Sequence, residues 1–275
     1  MEQNNMTIFT INSCSIKDQK CLITLRNMIQ ESNNELLIKN TWEFTDDFLL
    51  RYIRSRNYHV NSAFERLQNH MYIRRIKNPE VYARLYPSAV YDALENGGAR
   101  VLRGRDDKSR HVLLVRLSEW NPDEICVDDF LLAVMLLGWE MLGCKETQLN
   151  GMVILIDGTG FGLKHARQGT PSNVQKYADL IVKASPFKCK GAHIIFAPMI
   201  FNMTLSLIKM FLPQKLGKRI HAHGSSVDSL HKFISPDILP QSLGGVLSEA
   251  DSIDEELLQG LYSKERDDYY KSFVA

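Results

Sequence analysis

The chain has 275 residues, of which 44% are hydrophobic and 24% charged, and its formal net charge is +1 at pH 7. This composition is typical of a globular protein with a sizeable core, and the small net charge excludes nucleic-acid binding through a global basic excess. The five cysteines are scattered and form no CxxC pair, which argues against a disulfide framework or a zinc site.

The first part of the chain predicts a small helical unit. Residues 1–15 are polar, which predicts a flexible tail without a signal peptide and therefore a cytoplasmic protein. From residue 16 to about 90 the apolar residues recur at spacings of three and four, as on a helix face. Thr45-Asp46-Asp47 predicts one helix start, and Pro79 and Pro87 punctuate the end of the unit.

After Gly97-Gly98 the pattern changes to short strands that alternate with helices. Three apolar runs predict buried strands: 111–117, Met152–Asp157 and 192–197. Helical segments lie between and after them, at 129–142, 171–184 and 199–212. This alternation predicts an α/β domain over residues 91–250, with a mostly parallel sheet flanked by helices. Residues 251–275 predict a last helix and a solvated tail.

The helix at 129–142 (DFLLAVMLLGWEML) is apolar nearly all round, which indicates burial on several sides. It is either sandwiched within the core or lines an apolar cavity with one face. Gly138 is compatible with both. A glycine lowers helix propensity by about 1 kcal/mol relative to alanine, but it leaves room for a close neighbour.

The helix at 199–212 carries two apolar stripes. One consists of Phe201, Leu205, Ile208 and Leu212, and the other of Ile200, Met203, Leu207 and Met210. A surface helix needs only one such stripe, so this helix predicts two apolar neighbours. In an ordinary enzyme both neighbours are protein, whereas in a lipid carrier they are the bound lipid and a membrane.

Basic residues flank this helix on both sides: Lys188 and Lys190 before it, and Lys215, Lys218 and Arg219 after it. Cations beside an apolar helix are typical of an element that meets a membrane surface, where each contributes about 1 kcal/mol. The alternative is a solvated face whose cations complement the C-terminus of a helix.

The run Asp157-Gly158-Thr159-Gly160-Phe161-Gly162 follows a predicted strand, so it must be weighed as a nucleotide loop. A dinucleotide fingerprint requires G-x-G-x-x-G directly before a helix. Here the glycines are spaced G-x-G-x-G, and we expect the next helix only near Pro171. A turn at the end of a strand is therefore the better interpretation.

Two further groups of residues carry weak chemical signals. His221 and His223 lie on one face of an extended segment, but no full set of metal ligands accompanies them, so we predict no metal. Cys189 lies between two lysines that could lower its pKa, yet no catalytic base accompanies it, and we predict no catalytic residue.

Several strings resemble the CRAL-TRIO (Sec14-like) lipid-binding family, in its tocopherol-transfer and retinaldehyde-binding branch. They are DFLLRYIRSRN at 47–57, PFKCKGAHIIFAPM at 186–199, FLPQKLGKRIHAHG at 211–224 and DILPQSLGG at 237–245. The resemblance covers about residues 46–247 and implies a helical N-terminal unit before a lipid-binding α/β domain. It also implies an apolar cavity closed by a movable lid helix, which corresponds to residues 199–212.

The resemblance implies roles for particular residues. The positions that bind a phosphoinositide head group, such as phosphatidylinositol bisphosphate, correspond to Lys188, Lys190, Lys215 and Arg219. With the helix patterns it predicts a lipid pocket formed by Leu131, Val134, Gly138, Leu180, Ile181, Phe201, Leu205 and Ile208. The side of the lid that faces the membrane is then Ile200, Met203, Leu207, Met210 and Phe211.

One departure bears on the ligand. The tocopherol branch has two pocket serines where this chain has Val134 and Gly138, which argues against tocopherol itself and for a drier pocket that suits a retinoid, a carotenoid or another isoprenoid. We therefore predict a non-enzymatic cytoplasmic carrier that transfers a small hydrophobic lipid (tocopherol-, retinoid- or other isoprenoid-like) between membranes. It associates transiently with phosphoinositide-containing membranes, where its lid opens, and has no other cofactor. The alternatives are a nucleotide-dependent enzyme that uses the glycines at 158–162 and a lipid-sensing module without transport.

Overall fold

The structure, a computed structural model, describes residues 14–273, so most of the predicted N-terminal tail lies outside the described residues. Six helices form the first part of the chain: α1 Ile16–Glu31, α2 Glu35–Lys39, α3 Asp46–Ser55, α4 Val60–Tyr72, α5 Pro79–Tyr82 and α6 Tyr91–Glu95. A π-helical turn, Ile73–Lys77, extends α4. The predicted helix start is confirmed, because the Thr45 side chain accepts a hydrogen bond from the Phe48 N–H at the first turn of α3.

A five-stranded sheet follows, with its strands in the order β1-β2-β3-β4-β5. The strands are β1 Ala99–Arg105, β2 His111–Arg116, β3 Met152–Asp157, β4 Cys189–Ile195 and β5 Ile220–Ala222. Only β1 is antiparallel to its neighbour. The predicted mostly parallel sheet and its three predicted strands are confirmed, whereas β1 and β5 were not predicted.

The remaining helices flank and follow the strands. They are α7 Val127–Met141, α8 Lys145–Asn150, α9 Leu163–Gln168, α10 Pro171–Tyr177, α11 Phe201–Phe211, α12 Gln214–Gly217, α13 Val227–His231, α14 Glu249–Ser252, α15 Glu255–Leu261 and α16 Lys264–Ser272. A π-helical segment, Ala178–Ala184, completes the predicted helix at 171–184. Between residues 14 and 273, no helix combines the length and the apolar character that a bilayer crossing requires.

A buried network around Arg54 combines an ion pair within the helical unit with a hydrogen bond to the following domain. The Arg54 side chain on α3 donates from Nε to Asp18 Oδ1 at 2.9 Å, and from Nη1 to Gln148 Oε1 on α8 at 2.8 Å. All three residues are at most 1% exposed. Because the loss of one partner would leave a buried charge uncompensated, this network fixes α1 and α3 against α8.

The last described residues, for which we predicted a helix and a solvated tail, pack on α7. Residues Lys264–Ser272 form α16, and the Tyr270 hydroxyl donates to Glu140 Oε1 on α7 at 2.6 Å. The guanidinium of Arg266 also donates to Glu140, at 2.8 Å. The polar composition of this segment hid the fact that one of its faces packs on α7.

The sheet has two unlike faces. We define the packed face by Val112, Leu114, Val153, Leu155 and Ile195, all of which are fully buried. They form one cluster with Leu230, Ile234, Leu239 and Leu243 from α13 and the segment after it. We define the open face by Val115, Ile154, Ile156, Ala192 and Ile194. Alternate residues of a strand point to opposite faces, so the two sets share the same strands.

Candidate functional site

The open face holds apolar side chains that are only partly buried at the centre of the sheet. Strand β3 has a hydrogen-bonded neighbour on each side, yet Ile154 and Ile156 remain partly exposed. Their neighbours on the packed face, Val153 and Leu155, are 0% exposed. The helices above the open face therefore do not fill all the space over these two isoleucines.

Helices α7 and α11 cover the open face. Phe130 from α7, with Phe201 and Leu205 from α11, are buried in the same apolar cluster as Val115 and Ile194. Leu131 and Val134 of α7 pack on this cluster and are themselves only partly buried. The result is a layer of apolar side chains between helix and sheet in which several members keep accessible surface.

The structure brings together only part of the predicted pocket. Leu131, Val134, Phe201 and Leu205 join the open-face cluster, and Ile208 is partly buried on the same helix as Phe201. Leu180 is fully buried in the core that includes the N-terminal helices, and Ile181 packs on that core. These two residues contribute to the helical core, because Ala178–Ala184 runs along it as a π-helix.

The space beside Gly138 is filled by a protein side chain. A Cβ atom built at this position would lie 2.8 Å from Cζ of Phe187, closer than side chains approach one another. The Phe187 ring also meets Trp139 edge-on, with 5.8 Å between the ring centroids. The room that a glycine leaves on α7 is therefore filled by Phe187.

Helix α11 presents its two predicted stripes to different surroundings. Phe201 and Leu205 are buried, whereas Met203 and Met210 are 76% and 78% exposed. Ile200, Leu207 and Phe211 are partly buried. The helix begins without a side-chain cap from any described residue, and the Phe201 and Asn202 N–H groups donate to the Pro198 and Met199 carbonyls.

Basic side chains collect where the parallel strands begin. Lys188 and Lys190 stand at the start of β4, and Arg219 directly precedes β5. Burial and the neighbouring cations Arg219, Arg110, Lys215 and Lys108 lower the pKa of Lys190. Within residues 14–273, no carboxylate forms an ion pair with Lys190, Lys215 or Arg219. This basic edge therefore favours an anionic ligand.

Two of the four predicted cations are held by protein groups. The Lys188 ammonium donates to Asn57 Oδ1 at 2.6 Å and to the Leu149 carbonyl at 2.5 Å. Burial, with Lys190 and Arg56 nearby, lowers its pKa to about 8. Arg219 donates from Nη1 to the Cys189 carbonyl at 2.8 Å. Both side chains are thus oriented in advance, while Lys215 on α12 is exposed.

Gly151 makes room for Lys188 and Lys190 at the start of β4. Its φ of +85° lies in the region that favours glycine. A Cβ at this position would lie 2.3 Å from the Lys188 carbonyl oxygen and 2.8 Å from Cγ of Lys190. Any other residue would displace the start of β4 and with it both ammonium groups.

Sequence reasoning missed Lys108 and Arg110 at this edge. They lie in the turn between β1 and β2, and β2 begins at the same edge of the sheet as β4. Arg110 is paired with Asp106 at 2.5 Å, and both cations act on Lys190. The signal was obscured because β1 was not predicted, so the turn that carries them was not recognised.

Backbone N–H groups of the glycine loop after β3 donate to side chains of the loop and of the helix that follows it. Helix α9 begins at Leu163, so the expectation that the next helix starts near Pro171 was wrong. The Gly162 N–H donates to Nδ1 of His165 at 3.1 Å, and the Thr159 N–H donates to Asp157 Oδ1 at 3.0 Å. Those donors face protein groups, which argues against a phosphate site here.

The histidines and the cysteine that we weighed as chemical candidates have ordinary roles within the protein. His193 Nδ1 lies 3.0 Å from His223 Nε2, and His223 Nδ1 lies 2.9 Å from Ser229 Oγ. No group of three or more His, Cys, Asp or Glu residues that could hold a metal occurs in the described part of the chain. Burial raises the pKa of the Cys189 thiol, the opposite of the shift that its two flanking lysines suggested.

Two family profiles match the chain. The CRAL/TRIO domain matches residues 95–245, and the CRAL/TRIO N-terminal domain matches residues 21–69. A solved structure titled "Crystal structure of Sfh5" superposes with a TM-score of 0.56 at 12% identity, covering 100% of this chain and 97% of that one. That likeness supports the fold alone.

Curated proteins show the same relationship at higher identity. "Alpha-tocopherol transfer protein-like" of Mus musculus is 34% identical over 228 residues, which are 83% of this chain and 65% of that protein. The Homo sapiens protein of that name is 32% identical over 90% of this chain and 70% of its own length. "Clavesin-1" of Xenopus laevis is 31% identical, over 83% and 70%. The chain thus spans about two thirds of these relatives.

Proposed function

Because this chain belongs to the CRAL/TRIO family of lipid-binding proteins, we propose that it carries a small hydrophobic lipid between membranes without catalysing a reaction. The observation that carries the proposal is the partial exposure of Ile154 and Ile156 beneath α7 and α11. Accessible apolar surface inside a fold favours an apolar ligand. A lipid that buries about 300 Å² there gains roughly 7 kcal/mol.

The chemistry of the covering helix bears on the class of lipid. Val134 offers no hydroxyl, and the space at Gly138 is taken by the Phe187 ring. A ligand hydroxyl buried beside them without a partner would cost about 1–3 kcal/mol. We therefore propose an isoprenoid ligand, such as a retinoid or carotenoid, whose buried part carries no hydroxyl, in preference to a tocopherol.

We further propose that α11 is the lid. Phe201 and Leu205 face the open-face cluster, while Met203 and Met210 face solvent. A lipid that is slow to enter water leaves when the lid moves, and the exposed methionines then meet lipid tails. The protein is in this view cytoplasmic and only transiently bound to a membrane.

The basic edge selects the membrane in this proposal. Lys188, Lys190, Lys215 and Arg219 would hold a phosphoinositide head group, and their mutual repulsion is relieved when an anion binds. Lys188 and Arg219 are already oriented by hydrogen bonds, so little side-chain entropy is lost on binding.

The ligand class is tested by native mass spectrometry of the purified full chain, followed by lipid extraction. We expect an added mass that is extractable into organic solvent and resembles an isoprenoid. A bound nucleotide would overturn the carrier proposal in favour of the enzyme that uses the glycine loop.

The head-group role is tested by transfer of a fluorescent retinoid between vesicles with and without phosphatidylinositol bisphosphate. Changing Lys215 and Arg219 together to alanine should remove the stimulation by phosphoinositide and leave retinoid binding intact. Lys218→Ala is the matched control, because Lys218 is exposed beside both residues and does not act on Lys190. Unchanged stimulation in the double variant would refute the role of these cations. Retinoid binding without any transfer would identify a sensing module.

A further inference from the structure

The turn between α3 and α4 reaches the basic edge of the sheet domain. In this turn Asn57 accepts a hydrogen bond through Oδ1 from the Lys188 ammonium, at 2.6 Å. Asn57 is exposed and Lys188 is partly buried, so the bond lies at the surface of the protein. The helical unit therefore supplies a side chain to the edge where the cations of the sheet domain collect.

Two consecutive residues of this turn have an unusual backbone conformation. Asn57 and Tyr58 have φ values of +53° and +67°, in the left-handed region that residues other than glycine rarely adopt. Backbone hydrogen bonds fix the turn, from the Asn57 N–H to the Arg54 carbonyl at 3.0 Å and from the Tyr58 N–H to the Ile53 carbonyl at 2.9 Å. Such conformations persist where the surrounding structure holds them, and here they set the position of Asn57 Oδ1.

The Lys188 ammonium is held from two sides. Besides Asn57, it donates to the Leu149 carbonyl of α8 at 2.5 Å. An ammonium group has three N–H donors, and the residues that the structure describes offer Lys188 no third acceptor. A Cβ built at Gly151 would lie 3.3 Å from Cγ of Lys188 and 2.8 Å from Cγ of Lys190, so both side chains pass the same point. One N–H of Lys188 is therefore left for a ligand that also meets Lys190.

The acceptor that Asn57 supplies is neutral. Within residues 14–273, no carboxylate forms an ion pair with Lys188. The charged groups that act on it are the cations Lys190 and Arg56, which together with burial lower its pKa to about 8. An amide oxygen orients the ammonium without neutralising it, whereas a carboxylate in the same place would compete with an anionic ligand. Asn57 thus combines orientation with an uncompensated positive charge.

We propose that Asn57 is a positioning residue for anion binding at the basic edge: it holds the Lys188 ammonium toward a phosphate group and leaves its charge to the ligand. This inference rests on the head-group role proposed above, and it adds the helical unit to that site. The ligand chemistry is a phosphate monoester on an inositol ring, carried either by a membrane lipid or by a free inositol phosphate. The side chain of Asn57 acts through Lys188 and sets how strongly that anion is bound.

The proposal is tested by calorimetric titration of the full chain with inositol trisphosphate, a water-soluble form of the phosphatidylinositol bisphosphate head group. Asn57→Gly suits the φ of +53° and removes the acceptor, so binding should weaken by about three- to tenfold. Asn57→Asp keeps the size of the side chain and should weaken binding by about tenfold or more, because its carboxylate pairs with Lys188. Asn33→Gly is the matched control, since Asn33 is exposed in the turn between α1 and α2 with a φ of +50°, and it should bind like the unchanged chain.

The pH dependence of binding distinguishes positioning from a general disturbance of the turn. Because the pKa of Lys188 is about 8, the unchanged chain loses this charge as the pH rises from 7 to 9. In Asn57→Asp the new carboxylate raises the pKa of Lys188, so the charge is kept over that range. The affinity of the unchanged chain should therefore fall relative to that of Asn57→Asp as the pH rises. The ligand phosphates and Lys190 titrate in both proteins, so the difference reports Lys188. A ratio of affinities that is constant with pH would mean that the substitution only disturbs the turn.

The contact between Asn57 and Lys188 is also tested without any ligand. Competitive acylation by acetic anhydride at several pH values, followed by peptide mass spectrometry, measures the pKa of Lys188. This pKa should be higher in Asn57→Asp than in the unchanged chain or in Asn33→Gly. An equal pKa in all three proteins would overturn the inference, whatever the ligand is.

The outcomes separate this inference from the function on which it rests. If the unchanged chain, Asn57→Gly and Asn57→Asp bind inositol trisphosphate equally well, the role of Asn57 is refuted and the head-group role stands. If the unchanged chain binds neither inositol trisphosphate nor phosphatidylcholine vesicles that contain phosphatidylinositol bisphosphate, the head-group role itself is refuted. The vesicles should give the same order of affinities as the soluble probe. That order with the soluble probe alone would overturn the assignment to a membrane lipid in favour of a free inositol phosphate.

Discussion

The two faces of the sheet are built from the same strands but pack differently. On the packed face Val153 and Leu155 are 0% exposed, under a closed layer from α13 and the segment that follows it. On the open face Ile154 and Ile156 keep accessible surface beneath α7 and α11. Successive residues of one strand therefore lie in different surroundings: one side is a closed layer, and the other keeps the accessible apolar surface that our proposal assigns to the ligand.

This difference explains how a fold can hold an apolar site without losing its stability. Free energy of folding comes mainly from apolar surface removed from water, and the packed face supplies that burial by itself. Incomplete burial on the open face costs part of the possible gain. In the proposed function a bound lipid would restore that gain, so ligand binding and stability would be linked.

The largest expected effect is a loss of stability on the packed face. Leu155→Ala should lower the free energy of unfolding by about 3 kcal/mol, because it leaves a cavity in a closed layer. Ile154→Ala should cost about half as much, since its side chain has fewer neighbours to lose. Urea denaturation of the lipid-free protein measures both. Equal losses would mean that the two faces are packed alike.

A substitution that enlarges a side chain on the open face should separate ligand binding from stability. Ile156→Phe places a larger ring in the space over the open face, so we expect a change in stability below about 1 kcal/mol and at least tenfold weaker retinoid binding. Val153→Phe is the matched variant on the packed face and should cost about 1–3 kcal/mol through overpacking. Fluorescence titration and urea denaturation give the two readouts. Full retinoid affinity in Ile156→Phe would place the ligand elsewhere.

The packed face should also make stability sensitive to acid. Burial, with His223 and His221 nearby, lowers the pKa of His193 to about 4 from its ordinary value near 6.5. Between these values the unfolded chain binds a proton that the folded chain does not, so stability falls as the pH drops from 6.5 to 4.

The contribution of His193 is at most about 1.4 kcal/mol per pH unit, and His193→Gln should remove that part of the slope. Urea denaturation at several pH values between 4 and 7 tests this expectation. His59→Gln, which changes an exposed histidine, is the control. An unaltered slope in His193→Gln would show that other groups cause the acid sensitivity.

The smallest effect on stability is expected at the exposed side of α11, the proposed lid. Met203 and Met210 are largely exposed, so changing both to serine should alter the free energy of unfolding by less than about 0.5 kcal/mol. Retinoid transfer to vesicles should nevertheless slow by roughly threefold or more, because apolar contact with lipid tails is lost. Val246→Ser, on the side of the packed face and 61% exposed, is the control. Normal transfer by the double variant would show that the exposed side of α11 does not contact the membrane.

The sequence predicted those parts of the fold whose pattern is strong and local. The runs that became β2, β3 and β4 are continuous and apolar, and Thr45 starts α3 as its spacing indicates. Strand β1 escaped because its three arginines and one glycine interrupt the pattern on an edge strand. Strand β5 has only three residues, and its pairing with β4 defines it more than its composition does.

The site was less predictable because its properties depend on tertiary neighbours. Val153, Ile154, Leu155 and Ile156 are alike in composition, and only the layers above them make one face open. Leu180 was expected in the pocket but is buried in the helical core, since the sequence of the helix at 171–184 does not reveal which neighbour each of its apolar residues meets. The ring that fills the space at Gly138 comes from Phe187, which lies on a separate segment of the chain.

The start of α11 has a further consequence for motion. Helices α1 and α3 begin with side-chain caps from Ser15 and Thr45, whereas the first N–H groups of α11 depend on the backbone of residues 198–200. Fraying from that end breaks only these backbone bonds, and Pro213 limits how the helix can lengthen at the other end. The amide protons of α11 should therefore exchange with deuterium well before those of β3. In the mechanism that we propose, the frequency of that local opening would set an upper limit on the rate at which the lipid leaves.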